Sequence, residues 1–500
     1  MRRPLTDMSA QFVPLIEGLL ERAVLTGLLV HRLGVKSFEQ WSLLLATVTI
    51  LSMLDLGAQI TFSNRMTAAA NAGDFKLAGR IYRESNMIFL LLSVLIAGGT
   101  MLFAFSLPVQ HLLGFAEGLS GTERTVLLLL GMAQALRLVM SNSYGVYRAN
   151  LEFARGTMTL SVGEMVRVSA AAITVLFVPT LVAAALAMFG ATVIGFVLLI
   201  PLDISRRFPE FRYGVAWPTR VTLDRAVSDS ILYASNFLPT IVLTQLPILI
   251  IGGHARTGIL AVFVLMRTVS NLIRTFVQRF AAVIGMELAR LEVKGRRGEA
   301  QALYDQSSHF AAYLFGLMIA CALVWGGQVV KVWTGSAELF DPILLAIMLA
   351  PLVLTPRAQI AAPFITYSNR PARLALAVGT QTALAVVLAI MLPIDNVALR
   401  LTVAIFGAEL IALPPILFPS ASKALGLRVV MPALLDGLRA VGLGAIVFVA
   451  GREMRAQWPG FWGMIGSLTV LGLCSTPLLY LSARSLIDRA RLLRAPVVEG

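Results

Sequence analysis

Apolar runs of about 18 to 25 residues recur along the whole of this 500-residue chain, each long enough to cross the hydrocarbon core of a bilayer as a helix. They lie near 11–31, 38–62, 86–105, 125–147, 157–177, 181–202, 230–251, 259–284, 308–330, 342–365, 374–392, 398–418, 431–450 and 462–481. In lipid, every backbone N–H and C=O must find its partner within the segment or in a closed barrel, and runs this long read as helices. The expected fold class is an all-α polytopic membrane protein of about 14 transmembrane helices. A composition of 57% hydrophobic and 14% charged residues excludes an ordinary water-soluble globule. The first run carries Glu17, Glu21 and Arg22, which a signal-peptide core would not tolerate, so it is expected to stay as a helix.

Lys and Arg alternate between loops with a bias of about three to one, which places both termini on the cytoplasmic side. The sparse side holds Arg32, Lys36, Arg124, Arg256, Lys331, Arg400, Arg452 and Arg455. Trp41, Trp325, Trp333, Trp458 and Trp462 fall near the same outer ends, as an aromatic belt would. The formal net charge of +14 is spread through short inner loops, which fits contact with anionic inner-leaflet lipid and not a nucleic-acid partner.

The chain contains an internal repeat. Gly73, Ala78, Tyr82 and Ser85 in the loop after the second run recur as Gly295, Ala300, Tyr304 and Ser307 after the eighth. One offset covers all four positions, so runs one to six and seven to twelve read as two copies, each six helices long. The expected organisation is an N-terminal lobe over 1–203, a cytoplasmic linker over 204–229, a C-terminal lobe over 230–420, and an extra helix pair with a tail over 421–500.

Arg22, Arg137, Arg167, Arg267, Arg274, Arg279, Arg357 and Arg439 fall inside or at the margins of the apolar runs. An intramembrane charge costs several kcal/mol unless it meets water or a partner, so these arginines read as the wall of a pathway that favours an anion. Polar residues three or four apart mark the faces involved. The second run has Ser52, Asp55, Gln59 and Ser63; the fourth has Gln134, Arg137, Ser141 and Tyr144. The seventh has Tyr233, Asn236, Thr240 and Thr244, and the eighth has Arg267, Ser270, Asn271, Arg274 and Gln278. Such faces should meet water or one another, while runs three, six, nine and eleven carry almost no ionisable side chain and are expected to face lipid.

Arg137, Arg267 and Arg274 have no obvious partner on their own helix, and Arg357 follows Pro356 in a broken tenth run. With Gln134, Asn236 and Asn271 they form the expected substrate-binding set. Glu164 with Arg167, and Asp436 with Arg439, stand three apart and read equally as simple ion pairs or functional groups. Glu17, Glu21, Asp55 and Glu164 either pair with arginines or carry coupling protons or sodium. No GxxxxGK[ST] phosphate loop is present, and His31, His111, His254 and His309 lack metal-ligand spacing. Neither a cofactor nor a metal site is expected, and the chain reads as a transporter, not an enzyme.

At Leu33-Gly34-Val35 with Phe38 and Trp41, then Leu54-Asp55-Leu56-Gly57 and Ala72-Gly73-Asp74, the chain resembles the polysaccharide-flippase (Wzx-type) branch of the multidrug/oligosaccharidyl-lipid/polysaccharide (MOP) exporter superfamily. Arg296 departs from it, standing where an Asp is common. The resemblance implies two pseudo-symmetric six-helix lobes in a V plus a C-terminal helix pair, with a central cavity and alternating access. It implies an undecaprenyl-pyrophosphate-linked anionic oligosaccharide as cargo, carried across a bacterial inner membrane by a functional monomer for surface polysaccharide or exopolysaccharide synthesis. Membrane lipids, a polysaccharide polymerase and chain-length proteins are the partners it suggests, with a proton or sodium gradient or the membrane potential as drive. A lipid II (MurJ-like) flippase and a MATE-like drug or cation antiporter stay open as alternatives. A membrane glycosyl polymerase is disfavoured, since the longest outer loop, about 106–124, is too short for a catalytic domain.

Overall fold

The computed structural model describes residues 18, 20–52, 58–112, 115, 118–220, 222–223, 239, 241–254, 258–368, 370–426, 430–460 and 462–477. Glu17, Asp55 and Asn236 lie outside that set, as do the side chains of Glu21 and Arg22. No strand occurs among the described residues. Nine of their helices are long and apolar enough to cross a membrane, or ten with one bent pair. The first, second, seventh and fourteenth expected runs lie partly outside the described residues.

Contacts divide the chain into two units, 1–261 and 262–500. Unit 1 contains α1 (Thr26–Leu33), α2 (Val35–Ser52), α3 (Ala58–Asn71), α4 (Phe75–Phe105), α5 (Leu107–Leu112), α6 (Gly121–Ser141), α7 (Ser143–Ala149), α8 (Phe153–Phe177), α9 (Leu181–Thr192), α10 (Ile200–Arg207) and α11 (Leu246–His254). α12 (Ile259–Val293) begins in unit 1 and runs into unit 2, followed by α13 (Arg297–Thr334), α14 (Pro342–Leu354), α15 (Pro356–Tyr367), α16 (Pro371–Met391), α17 (Val397–Leu425) and α18 (Val430–Gln457).

Helix ends are set by local chemistry. Asp74 caps α4 by accepting from the Leu77 N–H at 2.8 Å. Ser120 and Glu123 close a reciprocal capping box on α6, and Gly335 and Gly426 end α13 and α17 in the left-handed conformation.

The sequence repeat is a repeat of structure. Gly73 and Gly295 both sit at positive φ, 80° and 71°. The Gly73 and Asp74 N–H groups donate to the Ala70 and Ala69 carbonyls at 2.9 and 3.0 Å; those of Gly295 and Arg296 donate to Glu292 and Leu291, both at 3.0 Å. Beyond each turn Ala78, Tyr82 and Ser85, and likewise Ala300, Tyr304 and Ser307, are buried. The departure at Arg296 changes only the cap: with no carboxylate there, Arg296 pairs with Glu299.

The division at 261 falls beyond the expected linker for two reasons. α11 packs on α2, and the Glu39 carboxylate at the start of α12 accepts from the Gly258 and Ala261 N–H groups at 2.8 and 3.0 Å. Nor is the start of that linker a free tether. Phe208 and Phe211 are buried against Tyr147 and Tyr82, the Ala216 N–H donates to the Arg83 carbonyl at 3.0 Å, and Asn86 Nδ2 donates to the Gly214 carbonyl at 3.0 Å. Trp217 is exposed.

Unit 2 corrects the expectation for the ninth run. Half of the most apolar window of α13 is buried, against 17% for that of α16, so α13 is an interior helix while α16 faces outward. Its partner is α18, where Gly437, Gly444 and Gly451 recur every seventh residue and allow close approach. A Cβ on Gly451 would stand 2.6 Å from the Trp325 ring, and one on Gly316 of α13 would stand 2.3 Å from the Ala440 carbonyl oxygen of α18. Gly316→Val forces those backbones apart, and a loss of about 1–3 kcal/mol is expected from overpacking. It should be read as a lowered midpoint of thermal unfolding in detergent; an unchanged midpoint contradicts this packing. The helices of the third and sixth runs have 33% and 39% of their most apolar windows buried, values shared by those of the fifth and eighth.

The tenth run is broken as its sequence suggests. α14 and α15 meet at 67°, where Pro356 cannot donate a helical hydrogen bond and the Thr355 hydroxyl donates to the Pro351 carbonyl at 2.6 Å.

Candidate functional site

In unit 1 the polar faces of the second and fourth runs meet. Ser52 at the end of α2, Gln59 of α3, and Gln134, Arg137 and Ser141 of α6 line a cavity of about 280 Å³, with Ser161 and Glu164 of α8 opposite. Gln59 Nε2 donates to the Ser141 carbonyl at 3.0 Å, tying α3 to α6. A second, smaller cavity of about 30 Å³ reaches Gln134, Arg137 and Arg167 from the α2 side.

Glu164 organises the charge. Its carboxylate, 6% exposed, pairs with Arg137 Nε through Oε1, while Oε2 accepts from Arg167 Nε at 2.8 Å and faces Arg167 Nη2 at 2.7 Å. Two cations around one acid leave a net charge of about +1, and the pairing holds a carboxylate that would be costly alone in an apolar interior. Arg167 is the inner cation, 12% exposed, with Nη1 4.0 Å from Met188 Sδ. Arg137 is the outer one at 40%. Nε is the Arg137 atom that faces Glu164 Oε1, an ion pair that leaves the two Nη groups off that carboxylate. The terminal Nη groups of Arg137 meet no other acid among the described residues, and Arg137 lines both cavities. An arginine fixed in this way presents two parallel N–H donors, the fork that suits phosphate or carboxylate oxygens.

Unit 2 places the remaining predicted arginines differently. Arg274 on α12 pairs with Glu409 of α17 at 3.0 Å, donates to the Met348 carbonyl at 2.8 Å and stacks over Phe406 at 4.9 Å. It is engaged by protein on three sides. Arg267 and Asn271 lie one helical turn apart on α12, both half-buried.

Arg357 overturns its expectation. The coincidence of a proline break and a charge predicts a cavity cation, yet Arg357 is 1% exposed. Nε contacts Asp436 Oδ2 and Nη1 contacts Asp305 Oδ1, both at 2.6 Å, and the ring of Tyr304 lies 5.5 Å below. Asp436 also pairs with Arg439 at 2.8 Å and lies 3.3 Å from His309. The break supplies α15 with a buried anchor and not a cargo ligand. The i,i+3 pairs Glu164–Arg167 and Asp436–Arg439 are both formed, each recruiting a second arginine from another helix.

Asp305 and His309 were not anticipated: they lie in the repeat loop and the ninth run, and nothing local marks them as partners of Arg357. Neither were Arg297, Arg370, Arg373 and Lys423, which line a basic cavity of about 540 Å³ in unit 2.

No protein-family model and no curated protein matches the sequence. Among solved structures, a lipid II flippase MurJ in an inward closed conformation superposes with a TM-score of 0.68 at 12% identity, over 96% of this chain and 100% of that one. The fold is that of MOP-superfamily transporters. An inward-facing multidrug resistance MATE family transporter of that superfamily gives a TM-score of 0.60 at 14% identity, over 87% of this chain and 96% of its own. A MATE in complex with MaL6 gives 0.51 at 15%, over 90% and 95%. At these identities the likeness is one of fold.

Proposed function

We propose that this chain is a flippase that carries an undecaprenyl-pyrophosphate-linked anionic oligosaccharide across the bacterial inner membrane by alternating access, for surface polysaccharide synthesis. The observation that carries the reading is Arg137, paired with Glu164 and lining a cavity walled by glutamine and serine, with a second arginine, Arg167, on the same carboxylate. A pyrophosphate needs charge-assisted donors in a polar recess, and this recess supplies them. Arg267 and Asn271 on α12 are further candidate contacts. The membrane potential is sufficient drive, since an anion moved outward from a negative interior gains about 2.3 kcal/mol per charge per 100 mV.

Lipid II is the second reading, favoured by the MurJ match along the full length of that protein. An acid-lined drug or cation antiporter fits the residual positive charge at Arg137 less well.

Mass spectrometry of lipid-linked glycans in a strain lacking this gene separates the three. Loss of surface polymer with build-up of one completed, lipid-linked repeat unit supports the proposal. Build-up of lipid II with a wall defect moves the cargo to the second reading. Normal glycans with altered drug sensitivity sink both.

A further inference from the structure

The larger cavity in unit 2 has no part in the transport argument. Its walls come from the end of α12, the starts of α13 and α16, and the C-terminal part of α17. The charge distribution of the loops assigns this end of the unit to the cytoplasmic face. Arg297, Arg370, Arg373 and Lys423 converge on it from three segments, the starts of α13 and α16 and the end of α17, against a single acid, Glu292. That acid is already committed: it pairs with Arg370 and accepts from the Ser368 hydroxyl, both at 2.6 Å. Arg297, Arg373 and Lys423 have no acidic partner among the described residues. Three like charges facing one recess repel unless an anion lies between them.

Much of the remaining lining is apolar and lies further along the same two helices, α16 and α17. Leu376, Pro415 and Ile416 flank the cations, and Leu376 is 53% exposed on the outward-facing helix α16. A recess with cations at its end and aliphatic carbon on the membrane side has the polarity of a lipid at the interface.

We propose that this cavity is a binding site for a phosphate-bearing anion, with Arg297, Arg373 and Lys423 as its ligands and an anionic phospholipid head group as the occupant that its apolar wall fits. The site is separate from the Arg137 recess and holds whatever the cargo proves to be.

Native mass spectrometry of the full-length protein in detergent tests it. With phosphatidylglycerol and phosphatidylcholine offered in equal amounts, wild type should retain phosphatidylglycerol selectively. R373Q/K423Q should weaken that retention on the order of tenfold or more, given the contribution of each basic residue at an anionic surface. Both side chains are exposed, so the unfolding midpoint should not move. R290Q, which removes an exposed arginine near the same end but outside the cavity, should leave retention unchanged. Displacement of the lipid by excess inorganic phosphate would identify a soluble phosphate as the occupant and retain the phosphate site; no displacement supports the lipid. Equal retention by wild type and R373Q/K423Q, or an equal loss in R290Q, overturns the proposal.

Discussion

Replacing Arg357 with alanine is expected to destabilise the purified protein by about 3–5 kcal/mol, the cost of stripping one partner from a buried ion pair. Arg357 is 1% exposed and Asp436 0%, so the carboxylate left behind has no route to water at the vacated position. Arg439 and His309 touch only its other oxygen, so Oδ2 is left without its partner. The Tyr304 ring beneath the guanidinium would lose packing as well, although its hydroxyl keeps the backbone carbonyl of residue 357. D305N should cost far less, under about 1 kcal/mol, because Asp305 is 39% exposed and already solvated. Removing both buried charges in R357L/D436L should recover most of the loss, since a matched apolar pair avoids the desolvation penalty. Thermal unfolding in detergent reads the whole series. A wild-type midpoint for R357A, or a double variant worse than the single, would mean that the ion pair does not hold α15 against α13 and α18.

Hydropathy is a local property, which is why the helices were legible run by run. The repeat was legible for a similar reason: a turn at positive φ needs glycine, and the buried Ala, Tyr and Ser that follow are fixed by their distance from it. The polar stripes mark faces that meet water or one another, and Gln59, Gln134, Arg137 and Ser141 of the second and fourth runs share one cavity. Partners across helices were another matter. Arg357 and Asp436 are 79 residues apart, and no periodicity within either run identifies the pair. An arginine in an apolar run looks the same whether it faces water, as Arg137 does, or a buried carboxylate, as Arg357 does. Counting loop charges for orientation discards which loops are neighbours, and so Arg297, Arg373 and Lys423 read only as a signal of sidedness. The glycines at 437, 444 and 451 take their meaning only from the structure, where they let α18 approach α13 and α14.

Arg137→Gln is expected to reduce transport by roughly tenfold to a hundredfold while leaving the fold intact. A charge-assisted hydrogen bond to an anion is worth about 1.5–3 kcal/mol, which sets that range. The fold should survive because Arg137 is 40% exposed and Glu164 keeps Arg167. The local charge then falls from about +1 to zero, so the affinity for undecaprenyl pyrophosphate in detergent should fall with it. Glu164→Gln makes the opposite change. It raises the local charge to about +2 and frees the arginine that the carboxylate had oriented, so pyrophosphate binding should not weaken, while turnover drops because the fork is no longer aimed and the anion is released less readily. Arg137→Lys keeps a point charge without the fork and should fall between wild type and R137Q. Surface polymer restored to a deletion strain reads transport, and equilibrium binding of the pyrophosphate carrier reads affinity. If R137Q is correctly inserted and restores polymer fully, the recess in unit 1 is not the pyrophosphate path. If E164Q weakens binding as much as R137Q, Glu164 acts by holding the helices together and not by aiming Arg137.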